Sequence, residues 1–397
     1  MLDLEATTSP RTLFFVENGT AEATIERLVV SPFAGSLWND INSERFTLRN
    51  SVFDRTGRLI WEHPGAANVV VVQNVTMTNG SCTAGQPALG FVDATSVSLS
   101  AVRVFGGTCM ALEASRCNLT VLDSQFERIN VATPAVSVTN SSTTTTIVGS
   151  TFRGMRETAL FSQNNSVVVL QNALFENNFA RTRGSAIRTF VTTMQIVGSQ
   201  FVNNSAQIEG GAIVAHTLSV TQSLFRGNTA IDVGGAIFGD DIQISDCDFE
   251  GNAGRSVIYL RAPKSPVVMA RSSFFGNTIR TINGSGGVVL VSNEALQLRV
   301  TESCLCNNMR ASIDCDTSAV SLAVDNTTES EGASVRCPLV QFRASNCTVA
   351  GSDVFLRQRR RRQQRHQQQQ RHQHRRHHHQ QHQQQQHRQT SLRPTPA

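Results

Sequence analysis

The 397-residue sequence predicts an all-β fold, a parallel β-helix in which the chain winds through about eleven stacked coils. Three observations predict it. The first is a motif stated twice. Phe201-x-x-Asn204 precedes Gly210-Gly211-Ala212-Ile213, and 24 residues later Phe225-x-x-Asn228 precedes Gly234-Gly235-Ala236-Ile237. A fixed period in the twenties marks a repeat architecture. The second is a longer register. With the Phe as position zero, an apolar residue stands five positions upstream in eleven successive pairs, from Leu48/Phe53 and Val72/Met77 to Met269/Phe274 and Val300/Leu305. The third is the local pattern. Short alternating runs such as Leu218-Ser-Val220 and Ile242-Gln-Ile244 are bounded by Gly, Asn, Asp and Ser, which is strand chemistry without helical periodicity.

Each element of one coil then has a physical reason. Coils stack at about 4.8 Å, the ordinary spacing between paired strands, so each residue sits above its equivalent one coil earlier. The Phe column is expected to stack inside. Position minus two is Ser in seven pairs and otherwise Val, Ala or Cys, as suits a narrow part of the coil. Asn recurs at plus three, at residues 178, 204, 228, 252, 277 and 308; an amide carries both donors and acceptors and can bond to its own copy. The Gly pairs supply a turn needing positive φ or close backbone approach.

The segments FVNNSAQIEGGAI and FRGNTAIDVGGAI resemble the paired FxxN and GGA[ILV] repeats of the chlamydial polymorphic outer-membrane proteins, repeats also found in right-handed β-helix proteins of algae and protists. Both motifs are complete in two coils, and Phe175-Glu-Asn-Asn178 with Gly184-Ser-Ala-Ile187 is a near match. The resemblance implies a right-handed helix and a surface-exposed, adhesin-like role. It does not extend to a C-terminal membrane barrel, for which the residues present leave no room.

In chain order, residues 1–47 form a cap or a first irregular coil, with Leu28 and Phe33 fitting the minus-five and zero positions. A solenoid end is an open sheet edge and needs covering. The run Leu13-Phe-Phe-Val16 is too short for a leader core, and Asp3 and Glu5 stand where basic residues would be expected. Residues 48–310 are the coils, and 311–356 a Cys-rich last coil or cap. Residues 357–397 are a low-complexity Arg/Gln/His tail up to TSLRPTPA, with too few apolar residues to pack a core, and are expected to be disordered. No stretch is long and apolar enough for a transmembrane helix. Residues 1–356 carry a net charge of −6 and the tail +11, so the body gives no reason to expect nucleic acid.

Nine cysteines are present. Cys82 and Cys109 each lie five residues after their coil's zero position, which places them one above the other within disulfide reach. Cys304, Cys306, Cys315, Cys337 and Cys347 crowd the C-terminal end, where disulfides stapling a cap are favoured over a zinc site; the Cys304-x-Cys306 spacing is not a zinc-knuckle pair. No metal or cofactor is expected. Asn-x-Ser/Thr acceptors begin at Asn18, Asn74, Asn79, Asn118, Asn140, Asn164, Asn203, Asn283, Asn326 and Asn346, which with the cysteines argues for an extracellular or cell-surface location; no signal peptide is seen, which a truncated start would explain.

Function is bounded more loosely. The expectation is a non-catalytic surface protein acting in adhesion or in carbohydrate or cell-wall contact, with glycans or proteins as partners. A purely structural wall protein is one alternative. The other is a pectin-type lyase or glycoside hydrolase, since parallel β-helices include both and the hydrolases need paired carboxylates. Its candidates are Asp240 and Asp241, with His216 and Arg261. His216, Asp240 and Arg261 each stand three residues after an equivalent Ile, so they are expected as a row on one face, with the acids exposed at a turn. The Asn-Thr-Asp, Gly-His-Gly and Arg-Ile-Lys elements of polygalacturonases are absent.

Overall fold

In a computed structural model the chain is a right-handed parallel β-solenoid. The structure describes residues 22–31, 44–61 and 69–308, apart from 83–84, 141–143, 165–166, 262–265, 281–285, 292–296 and 307, and outside these limits only short strands at 3–4 and between 313 and 343. Among the described residues there is no helix. The Arg/Gln/His tail, Phe33, Asn18, Asn283, Asn326, Asn346, Cys337 and Cys347 lie outside them, as do the side chains of Cys306 and Cys315.

One coil shows the plan. Thr193–Val197 lies in a first sheet, Gln200–Val202 in a second, and Ile213–Thr221 runs through a third into the next coil's first. A short strand, Ser205–Ala206, joins a small five-stranded sheet present in five coils. The minus-five residues pair in register in the first sheet and the zero residues in the second, through every step from Leu48 and Phe53 to Val300 and Leu305. An earlier coil precedes them in a different register from the one expected. Ile25 pairs with Leu48 and Val30 with Phe53, so Leu28 is not a minus-five residue. It stands at minus two, buried, and its N–H donates to Ser51 Oγ.

The core is a set of stacked columns. Phe126, Phe152, Phe175, Phe201, Phe225, Phe249 and Phe274 are fully buried. Consecutive rings lie 4.6–5.2 Å apart between centroids and are near parallel. The coil rise sets that distance: one ring per coil must stack on the next. Beside it runs an asparagine ladder. Asn228 Nδ2 donates to Asn252 Oδ1 at 3.0 Å and to the Phe201 carbonyl at 2.9 Å. Its Oδ1 accepts from Asn204 Nδ2 and from the Asn204 backbone N–H. All four bonding positions of the buried amide are filled, as burial requires. The same pattern links Asn178 through Asn308.

The minus-two column is held by bonding as well as size. Ser199 Oγ donates to its own turn at the Val197 carbonyl and accepts the N–H of Ala173 one coil earlier. Cys247 copies the first of these bonds with its thiol. Burial pushes that thiol up to about 12, so it is a packing group without thiolate character at neutral pH.

Two further columns are conformational. The second-sheet strand is bracketed in every described coil from Phe53 to Phe274 by left-handed residues at minus three and plus two, such as Asn172 and Asn177 around Phe175, or Gly198 and Asn203 around Phe201. A third left-handed corner follows the third sheet at Asp93, Arg116, Asn140, Asn164 and Val191. These corners are positions where Asn and Gly fit at least cost. Val191, at φ 49° and 72 % exposed, does not fit: it is β-branched. The coil below places Asn164 there, its amide bonded to Asn140. Val191→Asn is therefore expected to raise stability by about 1 kcal/mol by relieving left-handed strain, read as a higher denaturant midpoint at unchanged slope; a lower midpoint contradicts the strain.

Candidate functional site

The row expected from the sequence forms in the third sheet, at the corner leading into the next first-sheet strand. Ile213 pairs with Ile237 and Ile237 with Ile258, which brings the residues three positions on to successive rungs. In the earlier coils this corner turns on a left-handed residue. Here Ile213–Thr221 and Ile237–Ser245 run straight through, so side chains must hold the corner.

Asp240 is the centre of that network, and it is buried rather than exposed as expected. Arg261 takes both its oxygens in a fork, Nε to Oδ1 at 2.9 Å and Nη2 to Oδ2 at 2.8 Å. His216 Nδ1 lies 2.6 Å from Oδ2. A carboxylate has only acceptors, so the imidazole donates from Nδ1 and turns Nε2 outward. Arg261 is held further up by its Asp240 bonds and sits over the Phe238 ring at 5.5 Å. A carboxylate clamped by an arginine fork and an imidazole is a strong geometric pin. Asp241 is not part of it. It pairs with Thr217 in the next strand segment, so the two acids do not make a facing pair.

Around the pin, the outer face of the third sheet is partly sealed. Phe238 stacks on Tyr259 at 5.1 Å, and Val214, Val233, Phe238 and Leu290 form a second apolar cluster outside the main core. The glycine turns fold back against this face. At Gly210 a left-handed φ of 61° is required, and a Cβ would come within 2.4 Å of Val214; at Gly211 a Cβ would lie 2.0 Å from the Gly235 carbonyl. One glycine of each pair thus serves conformation and the other close approach. Glu209 in the same turn is raised by burial and countered by Arg183, whose Nε approaches its Oε2 at 2.9 Å. Among the described residues, no three His, Cys, Asp or Glu side chains are placed to hold a metal ion.

The remaining site residues fall elsewhere. Cys82 and Cys109 are joined by a disulfide, with Cα atoms 4.8 Å apart. Cys304 is disulfide-bonded. Asn74, Asn79, Asn140, Asn164 and Asn203 are exposed and sit at left-handed corners, whereas Asn118 begins a strand and is half-buried. A left-handed corner favours asparagine on its own, so these five positions have a conformational reason for the residue independent of any glycan. No helix of the described residues is long and apolar enough to cross a membrane.

Residues 134–328 match the family model for a right-handed β-helix region. No curated protein and no solved structure matches the chain.

Proposed function

We propose that this chain is a non-catalytic extracellular or cell-surface β-helix protein that acts by contact, in adhesion or in binding carbohydrate or cell-wall material. The observation that carries the non-catalytic part is the occupation of Asp240. Acid–base work on a glycosidic bond needs a carboxyl free to give or take a proton beside the substrate. Both Asp240 oxygens are engaged by Arg261 and His216, and the carboxylate is buried beneath them. Asp241, the other candidate acid, belongs to a different face. The extracellular part is supported by the Cys82–Cys109 bond, since cytosolic thiols stay reduced.

One feature favours the enzymatic alternative. A histidine oriented through Nδ1 by an aspartate, with Nε2 outward, is the arrangement of a general base. Incubation with polygalacturonate separates the two readings. No reducing ends and no unsaturated products are expected. Product that appears with the native protein and vanishes in Asp240→Asn or Asp241→Asn at an unchanged thermal transition would establish the enzyme instead. For the compartment, alkylation of unfolded but unreduced protein from its native source is expected to leave Cys82 and Cys109 unlabelled. Labelling of both would count against secretion.

A further inference from the structure

The outer face of the first sheet is a regular, half-exposed surface without charge. From the strand segment at 69–73 to that at 217–221, through Ser96–Ser100, Asn118–Leu122, Thr144–Val148, Val167–Gln171 and Thr193–Val197, three side chains per strand point outward while the two between them are buried. Three in each of seven strands makes 21 outward positions: ten Ser or Thr, four Asn or Gln, seven Val or Leu, and no Asp, Glu, Lys or Arg. A surface with about a quarter to a third of its positions charged would hold roughly five to seven here. The neighbouring second sheet does carry charge on its outer face, paired between coils as Arg153–Glu176 at 2.8 Å and Arg226–Glu250 at 3.0 Å. Charge returns to the first sheet only beyond the strip, at Arg45 and Arg49 on one side and Asp241 on the other.

We infer that this strip is the ligand-binding face and that its ligand is a neutral polysaccharide. The inference rests on the contact function proposed above and assigns that function a surface and a substrate class. Charge decides the class. A polyanion finds no cation here, whereas a neutral polymer lies down without stripping water from any ion, which is the costly step in burying charge. Chemistry agrees with it. Pyranose rings offer hydroxyl edges and C–H faces, and the strip offers hydroxyls and amides interspersed with aliphatic side chains. Geometry adds a repeat. In-register rows recur at about 4.8 Å along the axis, of the same order as one pyranose unit, so a chain laid along the strip meets equivalent groups coil after coil. Each contact is weak, and seven coils in series supply affinity by repetition.

The test uses the full chain and insoluble cellulose, chitin, β-1,3-glucan and cross-linked polygalacturonate, with bound protein measured by depletion. The wild type is expected to bind at least one neutral polymer, to the same extent at 50 mM and 500 mM salt, and to leave the polygalacturonate at 500 mM, where attraction to the eleven arginines of the tail is screened. Ser98→Glu, Thr146→Glu and Gln195→Glu combined place one charge on every second coil, about 10 Å apart and near the screening length. Binding to the neutral polymer should fall at least tenfold at an unchanged thermal transition. Thr146→Glu alone, measured in parallel, should weaken binding even if the triple variant folds poorly. Neutral binding unchanged in both variants overturns the assignment of the face while leaving the contact function standing. Binding to polygalacturonate alone, persisting at 500 mM salt, overturns the substrate class. No binding to any polymer, with a dimer in sedimentation that the substitutions dissociate, overturns both and makes the strip a contact between copies of this chain.

Discussion

Phe225→Ala is expected to cost about 3–5 kcal/mol, the usual loss for emptying a buried aromatic site. The ring is fully buried and lies 4.8 Å from Phe201 and 4.7 Å from Phe249. Its removal opens a cavity between two stacked rings whose positions are fixed by the ladders on either side, so the site has little freedom to collapse. In a solenoid each coil contacts only its neighbours, and the loss should appear at two coil interfaces at once. Denaturant unfolding at unchanged slope measures it. Phe275→Ala is the control, because Phe275 follows Phe274 yet points outward and is 44 % exposed; its loss should stay below about 1 kcal/mol, as for a surface substitution. A comparably small loss at Phe225 would contradict the buried column.

The columns that could be read from the sequence are those in which a physical demand selects one residue type. A stacked buried ring selects Phe, a four-way buried bond selects Asn, and a turn pressed against backbone selects Gly. The left-handed corners at minus three and plus two are equally regular but use no single residue. At minus three the chain places Asn50, Ala101, Asp123, Gly149, Gln222 and Arg271 at nearly the same φ. Backbone conformation is constant there while side chains vary, so the column leaves no mark in composition. The first coil failed for a related reason. Leu28 is apolar and buried like a minus-five residue, but minus two also faces inward, and only the pairing of Ile25 with Leu48 separates the two.

The candidate site was legible as a row because equal spacing from Ile213, Ile237 and Ile258 fixes the stacking of His216, Asp240 and Arg261. The burial of Asp240 was not. It depends on the two strands running straight through a corner that turns in earlier coils, and on an arginine fork from the following coil. An acid beside glycine reads as an exposed turn residue until that partner is placed above it. The serine column was read as small rather than as bonded for the same reason: the donor that Ser199 accepts belongs to Ala173, a coil away.

Asn228→Ala is expected to cost about 2–5 kcal/mol, a loss comparable to that of the ring although far less apolar area is removed. Four hydrogen bonds disappear: those from Asn204 Nδ2 and the Asn204 N–H to Asn228 Oδ1, and those from Asn228 Nδ2 to Asn252 Oδ1 and the Phe201 carbonyl. Each bond is worth only about 1 kcal/mol net, but a buried partner left unsatisfied costs about 1–3 kcal/mol. The Asn204 N–H and the Phe201 carbonyl are both fixed in the coil backbone and cannot turn elsewhere. Water entering the vacated space would recover part of the loss, which sets the lower end of the range. Asn228→Asp separates the two halves of the amide. It keeps the acceptor for Asn204 and loses the donor to Phe201 and Asn252, while placing an acid whose ionised form is denied water by burial. That variant should therefore be destabilised most at neutral pH and recover as the pH falls and the carboxyl takes up a proton, because burial raises its folded-state pKa. A ladder that matters only as packing would instead leave Asn228→Asp near wild type at every pH, with Asn228→Ala costing no more than its lost volume.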